Sequence, residues 1–246
     1  MGKRVTAAVL AALRGRTPGV LLDVPAGVSP LRAGAERLGW RVVGLDLFPR
    51  PGFAGVRGDA CAPFPFRDGA FDALVSLEGI EHFENQAAFV RECARVLKPG
   101  GLMVVTTPNV LHLSARMNTF LTGQRHAHRG FVNEDQTLRG RDGDRLYHGH
   151  AFLIDVFRLR YLLSIAGLHT GGLRMGPLSH GSLALAVLAP LVWIASRVII
   201  ARGRRARARA GLRIARPEVE RDILRLADSP RLLFSRKLIL TASREP

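Results

Sequence analysis

VLLDVPAGVSPLRAGAERLGWRVVGLD, Val20–Asp46, reads as strand, turn, helix and strand. The run from Val20 to Val24 is β-branched and leucine-rich, the mark of a strand buried on both faces. A turn holding Pro25 and Gly27 follows, then Leu31, Ala35 and Leu38 at helical spacing. RVVGLD, Arg41–Asp46, is a second strand. In a doubly wound sheet the ligand sits beyond the carboxyl ends of the strands, where the topology switches. The turn from Asp23 to Ser29 and the acid Asp46 fall at that edge. Gly27 has no Cβ and lets backbone approach a ligand closely. Asp46 is placed to accept hydrogen bonds from ribose hydroxyls. The G-x-G-x-x-G fingerprint of dinucleotide sites is missing, so a pyrophosphate finds no cradle in this turn.

Further along, Gly55–Asp59, Phe71–Ser76 and Leu102–Thr107 read as strands, with a helix from Asn85 to Leu97 and a Lys98–Gly101 turn. A helix from Phe152 to Ile165 closes at Gly167, and Leu168–Met175 and Lys237–Ser243 are strands six and seven. Strands alternating with helices predict an α/β fold: a Rossmann-like, doubly wound, mainly parallel seven-stranded sheet with helices on both faces. The chain, 246 residues with 47% hydrophobic residues, fits one such domain. Lys3 and Arg4 ahead of VTAAVLAAL imitate a signal peptide, and MGKRVT imitates a myristoylation signal. The helical spacing of Val5, Val9, Leu10 and Leu13 points instead to an amphipathic helix leading into strand one, with no cleaved signal.

Two cysteines, Cys61 and Cys93, form neither a disulfide framework nor a zinc spacing. Periodicity fades between Pro108 and Gly149, so residues 108–149 are expected to form a substrate lid or to be partly disordered. Residues 176–230 are a hydrophobic and basic helical insertion before the last strand. Its apolar run from Leu183 to Ala195 contains Pro190, is separated by Arg197 from a second apolar patch at Val198–Ala201, and falls short of the ~20 residues a spanning helix needs. A helix lying in the headgroup region, pinned by Arg202, Arg204, Arg205, Arg207 and Arg209, fits better than a core helix with a solvated basic tail. The net charge of +16 rests almost wholly on arginine, since Lys3, Lys98 and Lys237 are the only lysines. Clustered behind an apolar run, this charge favours an anionic membrane surface, reached through Leu183 to Arg209, over nucleic acid. A bacterial protein, cytoplasmic and peripheral on the inner face of the cell membrane, is the expected setting.

The motifs together resemble those of the class I S-adenosylmethionine-dependent methyltransferases, in particular the branch of ubiquinone-biosynthesis O-methyltransferases. Residues 20–26 (VLLDVPA) with Gly27 resemble the first motif, D-x-G-x-G-x-G, with Pro25 and Ser29 in place of two glycines. GLD, ending at Asp46, resembles the second motif, and Gly58-Asp59-Ala60 the third. FDALVSLEGIEHF resembles the fourth, RECARVLKPGGLMVVTTPN the segment after it, and HGHAFLIDVFRLRYLLSIAGL the stretch before strand six. The resemblance implies S-adenosyl-L-methionine as cofactor, held by Asp23, Pro25, Ala26, Gly27, Asp46, Leu47, Asp59, Ala60, Leu77 and Glu78. It also associates the Glu78, Glu81, His82 group with magnesium, although other members use the E-H pair to order a loop, and no metal ligand is assigned here.

His150, just before the substrate-side helix, and His82 are the candidate acid–base residues, with Tyr147 a further possibility. His126, His128, His148 and His150 form two H-x-H pairs with no third-ligand pattern. The expected activity is O-methylation of a small acceptor that is lipidic, lipid-linked or a glycan, at the membrane surface. Two other classes are compatible: a non-catalytic membrane-docking protein that keeps the fold, and a nucleic-acid methyltransferase.

Overall fold

The computed structural model describes residues 2–27, 31–49, 55–124, 131–133, 136–139, 146–147, 149–174, 176–211 and 217–245. Ser29, His126, His128 and His148 lie outside the described residues. The central sheet comprises β1 (Val20–Asp23), β2 (Arg41–Asp46), β3 (Gly55–Arg57), β4 (Phe71–Leu77), β5 (Leu97–Pro108), β8 (Leu168–Arg174) and β9 (Lys237–Arg244). A separate two-stranded pair is formed by β6 (Leu138–Arg139) and β7 (Leu146–Tyr147).

The seven strands stand in the order β3-β2-β1-β4-β5-β9-β8. Pairing is parallel from β3 through β5, and β9 runs antiparallel to both β5 and β8. The chain steps outward from β1 to β3 and then returns to place β4 on the other side of β1. The topological switch therefore lies between β1 and β4, next to the turn that opens the sequence analysis.

Successive residues of each central strand enter opposite cores, as the two-residue period of a strand dictates. Leu21, Val75, Val104 and Ile239 face α1 (Lys3–Arg14) and α2 (Leu31–Glu36), through Val5, Val9, Leu13 and Leu31. Leu22, Leu74, Met103 and Leu240 face α3 (Gln86–Val96) and α5 (Val156–Ile165), through Phe89, Cys93, Leu159 and Leu163. Both faces are apolar, which is why these strands read as continuous hydrophobic runs. The N-terminal helix is part of the first core, as its spacing predicts.

Three local expectations are corrected. Lys98–Gly101 belongs to β5 and not to a free turn: Leu97 pairs with Phe71 and Leu102 with Ala73, so the extra residues bulge out of the ladder. Gly100, at φ +73°, takes the left-handed conformation that the bulge requires. Within 108–149, the stretch without evident periodicity, α4 (Leu113–Thr122) forms, capped by Gly123 at φ +72°. The third correction concerns the insertion, which contains α6 (His180–Ala184), α7 (Ala189–Arg209), α8 (Pro217–Ala227) and α9 (Pro230–Phe234).

Pro190 does not break α7, because it occupies the first turn, where its missing N–H has no intrahelical partner to lose. Helix therefore runs from Ala189 to Arg209, and with the preceding turn, Ala186–Arg209 is long and apolar enough to cross a membrane by length and composition. Nor is α7 a core helix, since only 6% of its most apolar window is buried. Val187, Leu191, Ile194 and Ile199 are exposed, while Ala189, Val192 and Trp193 pack on Leu113 and Leu233. The insertion is also tied to the end of β5: the Asn109 amide donates to the carbonyls of Leu232 and Ser235, at 2.8 and 2.7 Å.

Candidate functional site

The carboxyl ends of β1, β2, β4 and β5 form one edge, marked by Asp23, Asp46, Leu77 and Pro108. Because β9 runs the other way, it begins at this edge, with Lys237 opposite Pro108. Backbone bonds draw the loop after β1 across the ends of its neighbours. The Val24 amide donates to the Val75 carbonyl, and the Ala26 amide to the Leu45 carbonyl, both at 3.0 Å.

Asp46 is the junction of this loop. Its Oδ2 accepts from the Gly27 amide at 2.7 Å, and its Oδ1 from the Phe48 amide at 2.8 Å. Gly27 itself sits at φ +46°, a conformation that suits glycine, and a Cβ there would project into open space. Each carboxylate oxygen has a further lone pair, so Asp46 can hold the loop and still accept from a ligand hydroxyl. Leu47 follows it, half-buried.

Asp23 differs sharply. It is buried, and its Oδ1 has no hydrogen-bond partner among the described residues. Burial pushes its pKa well up, with the Arg32 charge opposing this and Asp46 adding to it. Among the described residues, it is Asp46 that holds the backbone amides of this loop. Asp59 stands near the start of the loop after β3, its Oδ1 accepting from the Cys61 amide at 2.8 Å, and Ala60 beside it is buried.

On the β4 side, Pro25 lies directly against Gly79: a Cβ on Gly79 would come within 2.3 Å of Pro25 Cδ. Leu77 is buried at the end of β4. Glu78 follows at φ +51°, the one non-glycine residue in the left-handed region among those described. Such backbone costs about 1–3 kcal/mol and persists only where its surroundings hold it. Here the Glu78 amide donates to the Thr106 carbonyl, the Thr106 hydroxyl donates to Glu78 Oε1 at 3.1 Å, and Lys237 Nζ is bonded to Oε2.

Glu81, His82 and His150 form a second cluster. Their donor atoms lie within 4.8 Å of one another, a spacing able to hold a metal ion. The rings of His82 and His150 are 5.1 Å apart. Two short 3-10 turns, Ile80–His82 and His150–Phe152, carry these residues, and the Gln86 side chain joins the turns by donating to the carbonyls of Ile80 and Phe152. His82 Nδ1 lies 3.1 Å from the Gly149 carbonyl oxygen. A carbonyl only accepts, so the proton sits on Nδ1, and the neutral ring keeps its basic lone pair on Nε2.

Glu81 is fully buried. Its Oε2 accepts from the Thr107 hydroxyl at 2.9 Å, and its Oε1 has no partner among the described residues. Its pKa is pushed up to about 8, first by burial and then by the nearby Glu78. The magnesium grouping of Glu78, Glu81 and His82 does not assemble. Glu78 is engaged by Lys237 and Thr106, and His150 takes its place beside Glu81 and His82. Two imidazoles and one carboxylate suit a borderline transition ion better than magnesium, which takes oxygen ligands.

The residues named from the sequence therefore divide in two. Asp23, Pro25, Ala26, Gly27, Asp46, Leu47, Asp59 and Ala60 surround the loops after β1, β2 and β3. Leu77 and Glu78 close that arc, while His82 and His150 meet on its β5 side with Glu81. Gln86, Thr106, Thr107 and Lys237 were not anticipated. The two threonines that end an otherwise apolar strand were the visible signal.

Residues 22–105 match the family model described as a methyltransferase domain. A curated relative named "Probable S-adenosylmethionine-dependent methyltransferase", from Mycolicibacterium smegmatis, is 38% identical over 90 residues, covering 32% of this chain and 34% of that protein. A ubiquinone biosynthesis O-methyltransferase of Xanthomonas oryzae pv. oryzae is 31% identical over 102 residues, covering 36% of this chain and 43% of the other. The match thus spans about a third of the first relative's length and under half of the second's. Among solved structures, the 1,6-didemethyltoxoflavin-N1-methyltransferase of Burkholderia thailandensis, with bound S-adenosylhomocysteine, shares the fold at TM-score 0.50 and 16% identity, covering 99% of this chain and 78% of that one. Residues 22–105 thus match a methyltransferase domain and are similar in sequence to S-adenosylmethionine-dependent methyltransferases, on a fold shared with a solved methyltransferase.

Proposed function

We propose that the chain is an S-adenosyl-L-methionine-dependent methyltransferase that O-methylates a small acceptor, lipidic, lipid-linked or a glycan, at a membrane surface. The observation that carries the reading is the convergence at one sheet edge of Asp23, Gly27 and Asp46 on one side and Glu81, His82 and His150 on the other. The cofactor fits the first group. Asp23 offers a buried, unpartnered carboxylate oxygen, Gly27 a backbone without side-chain obstruction, and Asp46 spare acceptor capacity for ribose hydroxyls. Pro25, Ala26, Leu47, Asp59, Ala60, Leu77 and Glu78 complete the walls.

The chemistry supplied there is a methyl group on a sulfonium, already a good leaving group. The chain's own task is to align an acceptor oxygen with that methyl and to exclude water, which can account for much of the rate. His82 is suited to take the acceptor's proton at Nε2, because the Gly149 carbonyl holds its other proton on Nδ1. His150 lies beside it, its ring tilted 58° to that of His82 with the centroids 5.1 Å apart. Glu81, protonated near neutral pH, can donate a hydrogen bond without repelling an anionic acceptor.

The membrane part of the reading rests on α7, whose exposed Leu191, Ile194 and Ile199 are followed by Arg202, Arg204, Arg205, Arg207 and Arg209. Arginines beside an apolar face support a peripheral position on an anionic leaflet, and the proposed setting is the cytoplasmic, inner face of the membrane. Calorimetric titration with S-adenosylhomocysteine tests the core of the proposal: saturable binding at one site supports it, and no binding to the wild-type chain overturns it.

A further inference from the structure

Just past β5, Val110, Leu111, Arg116, Thr119, Phe120 and Asp155 line a cavity of about 330 Å³. Ligand cavities run from about 300 to 1,000 Å³, so this one suits a small molecule. Its walls are largely carbon, with Phe120 exposed at the rim. The Arg116 guanidinium is the charged donor group. Nε donates to the Leu111 carbonyl at 2.6 Å, which anchors the stem and leaves the terminal N–H groups for another acceptor. No carboxylate among the described residues pairs with it. Burial lowers its pKa, and no acid among the described residues offsets that. Asp155, the acid in the lining, is committed to the start of α5, where its Oδ1 accepts from the Phe157 and Arg158 amides at 2.9 and 3.0 Å. A partly buried guanidinium without an anion forgoes the strong, two-pronged hydrogen bonds to which its fork is shaped.

We infer that this cavity binds the anionic oxyacid group, carboxylate or phosphate, of an amphiphilic acceptor. Arg116 grips the acid while Val110, Leu111 and Phe120 cover the adjoining apolar part. The inference rests on the methyltransferase reading, because it makes the cavity the acceptor's mooring. The cavity begins at Val110, four residues after Thr106 and three after Thr107, whose hydroxyls bond Glu78 and Glu81. Asp155 in the lining follows the His150–Phe152 turn by three residues, and on this proposal the acceptor extends from the cavity toward the His82 and His150 cluster.

The test is binding of octanoate, octyl phosphate and the neutral analogue octanamide to the full chain saturated with S-adenosylhomocysteine. At least one anionic probe should bind about tenfold or more tightly than octanamide, as a charge-assisted fork contact implies. Which anion wins distinguishes a carboxylate acceptor from a phosphorylated one. Arg116→Gln should abolish the preference, and Arg116→Lys should restore part of it, which a merely unfolded variant could not do. Equal affinity for octanamide and both anions, no anion binding at millimolar concentration, or a preference that survives in Arg116→Gln overturns the inference. Each of those results leaves the cofactor reading standing provided S-adenosylhomocysteine still binds; loss of that binding in the wild type would instead remove the underlying function.

Discussion

The Gly27 amide donates to Oδ2 of Asp46 across 2.7 Å, joining the loop after β1 to the end of β2. One carboxylate thereby shapes the loop and, on the proposed function, also accepts from the ribose. Removing it should do two kinds of damage. Asp46→Ala frees the Gly27 and Phe48 amides and deletes the ribose acceptor, so affinity for S-adenosylhomocysteine should fall at least tenfold. Stability should fall by about 1–3 kcal/mol for the lost charged hydrogen bonds. Calorimetry and chemical denaturation read the two effects separately. An affinity equal to the wild type's would remove Asp46 from the binding site.

Pro25 and Gly79 test whether the proline-bearing loop is a built surface. Any side chain on Gly79 collides with the Pro25 ring, at 2.3 Å for a Cβ. Gly79→Ala should therefore displace the loop and weaken S-adenosylhomocysteine binding several-fold. Pairing it with Pro25→Gly should recover part of the loss, since the obstructing ring is gone. Additive damage in the double variant would show that the two residues do not share a contact.

Glu81 gives the fold a pH dependence of defined sign. Its pKa, pushed up to about 8 by burial and by Glu78, exceeds the ordinary value of 4.5 it regains on unfolding. Between these values the folded chain retains a proton that the unfolded chain has released, so stability declines as pH rises from about 4.5 to 8. Glu81→Gln keeps the shape and removes the titration. The variant should lose this decline and become more stable than the wild type by a few kcal/mol above pH 8. Parallel stability curves for the two proteins from pH 5 to 8 would contradict the assignment.

The sheet could be read before any coordinates because its strands carry apolar residues on both faces, a pattern few alternatives share. Asp46 and Gly27 could be placed because strand ends in such a sheet define the ligand edge. What escaped the reading depends on distant partners. Lys237 meets Glu78 only because β9 runs antiparallel and starts where β4 ends. Gln86 matters only because two short turns, widely separated in sequence, expose their carbonyls to it. The α4 helix hid because its polar face and its packing on the insertion blur a 3.6-residue period, and Pro190 misled because its position within a helix, not its presence, decides whether it breaks one.

The orientation of α7 yields the sharpest test of the membrane reading. Arg204 is paired with Glu220 at 2.7 Å and Arg197 with Asp228 at 2.9 Å, so these two arginines help to hold the insertion together. Arg202, Arg205 and Arg209 are the better probes, since changing them leaves those ion pairs intact. Each basic residue near an anionic surface contributes about 1 kcal/mol, so the triple change to glutamine should weaken binding to phosphatidylglycerol vesicles by ~100-fold. Sedimentation with neutral phosphatidylcholine vesicles should change little, because the apolar residues remain. Retention on RNA that depends on salt and is lost in the same variant, with no pelleting on either vesicle, would transfer the basic segment to a nucleic acid. Undiminished pelleting of the triple variant on anionic vesicles would mean that these arginines do not face the bilayer.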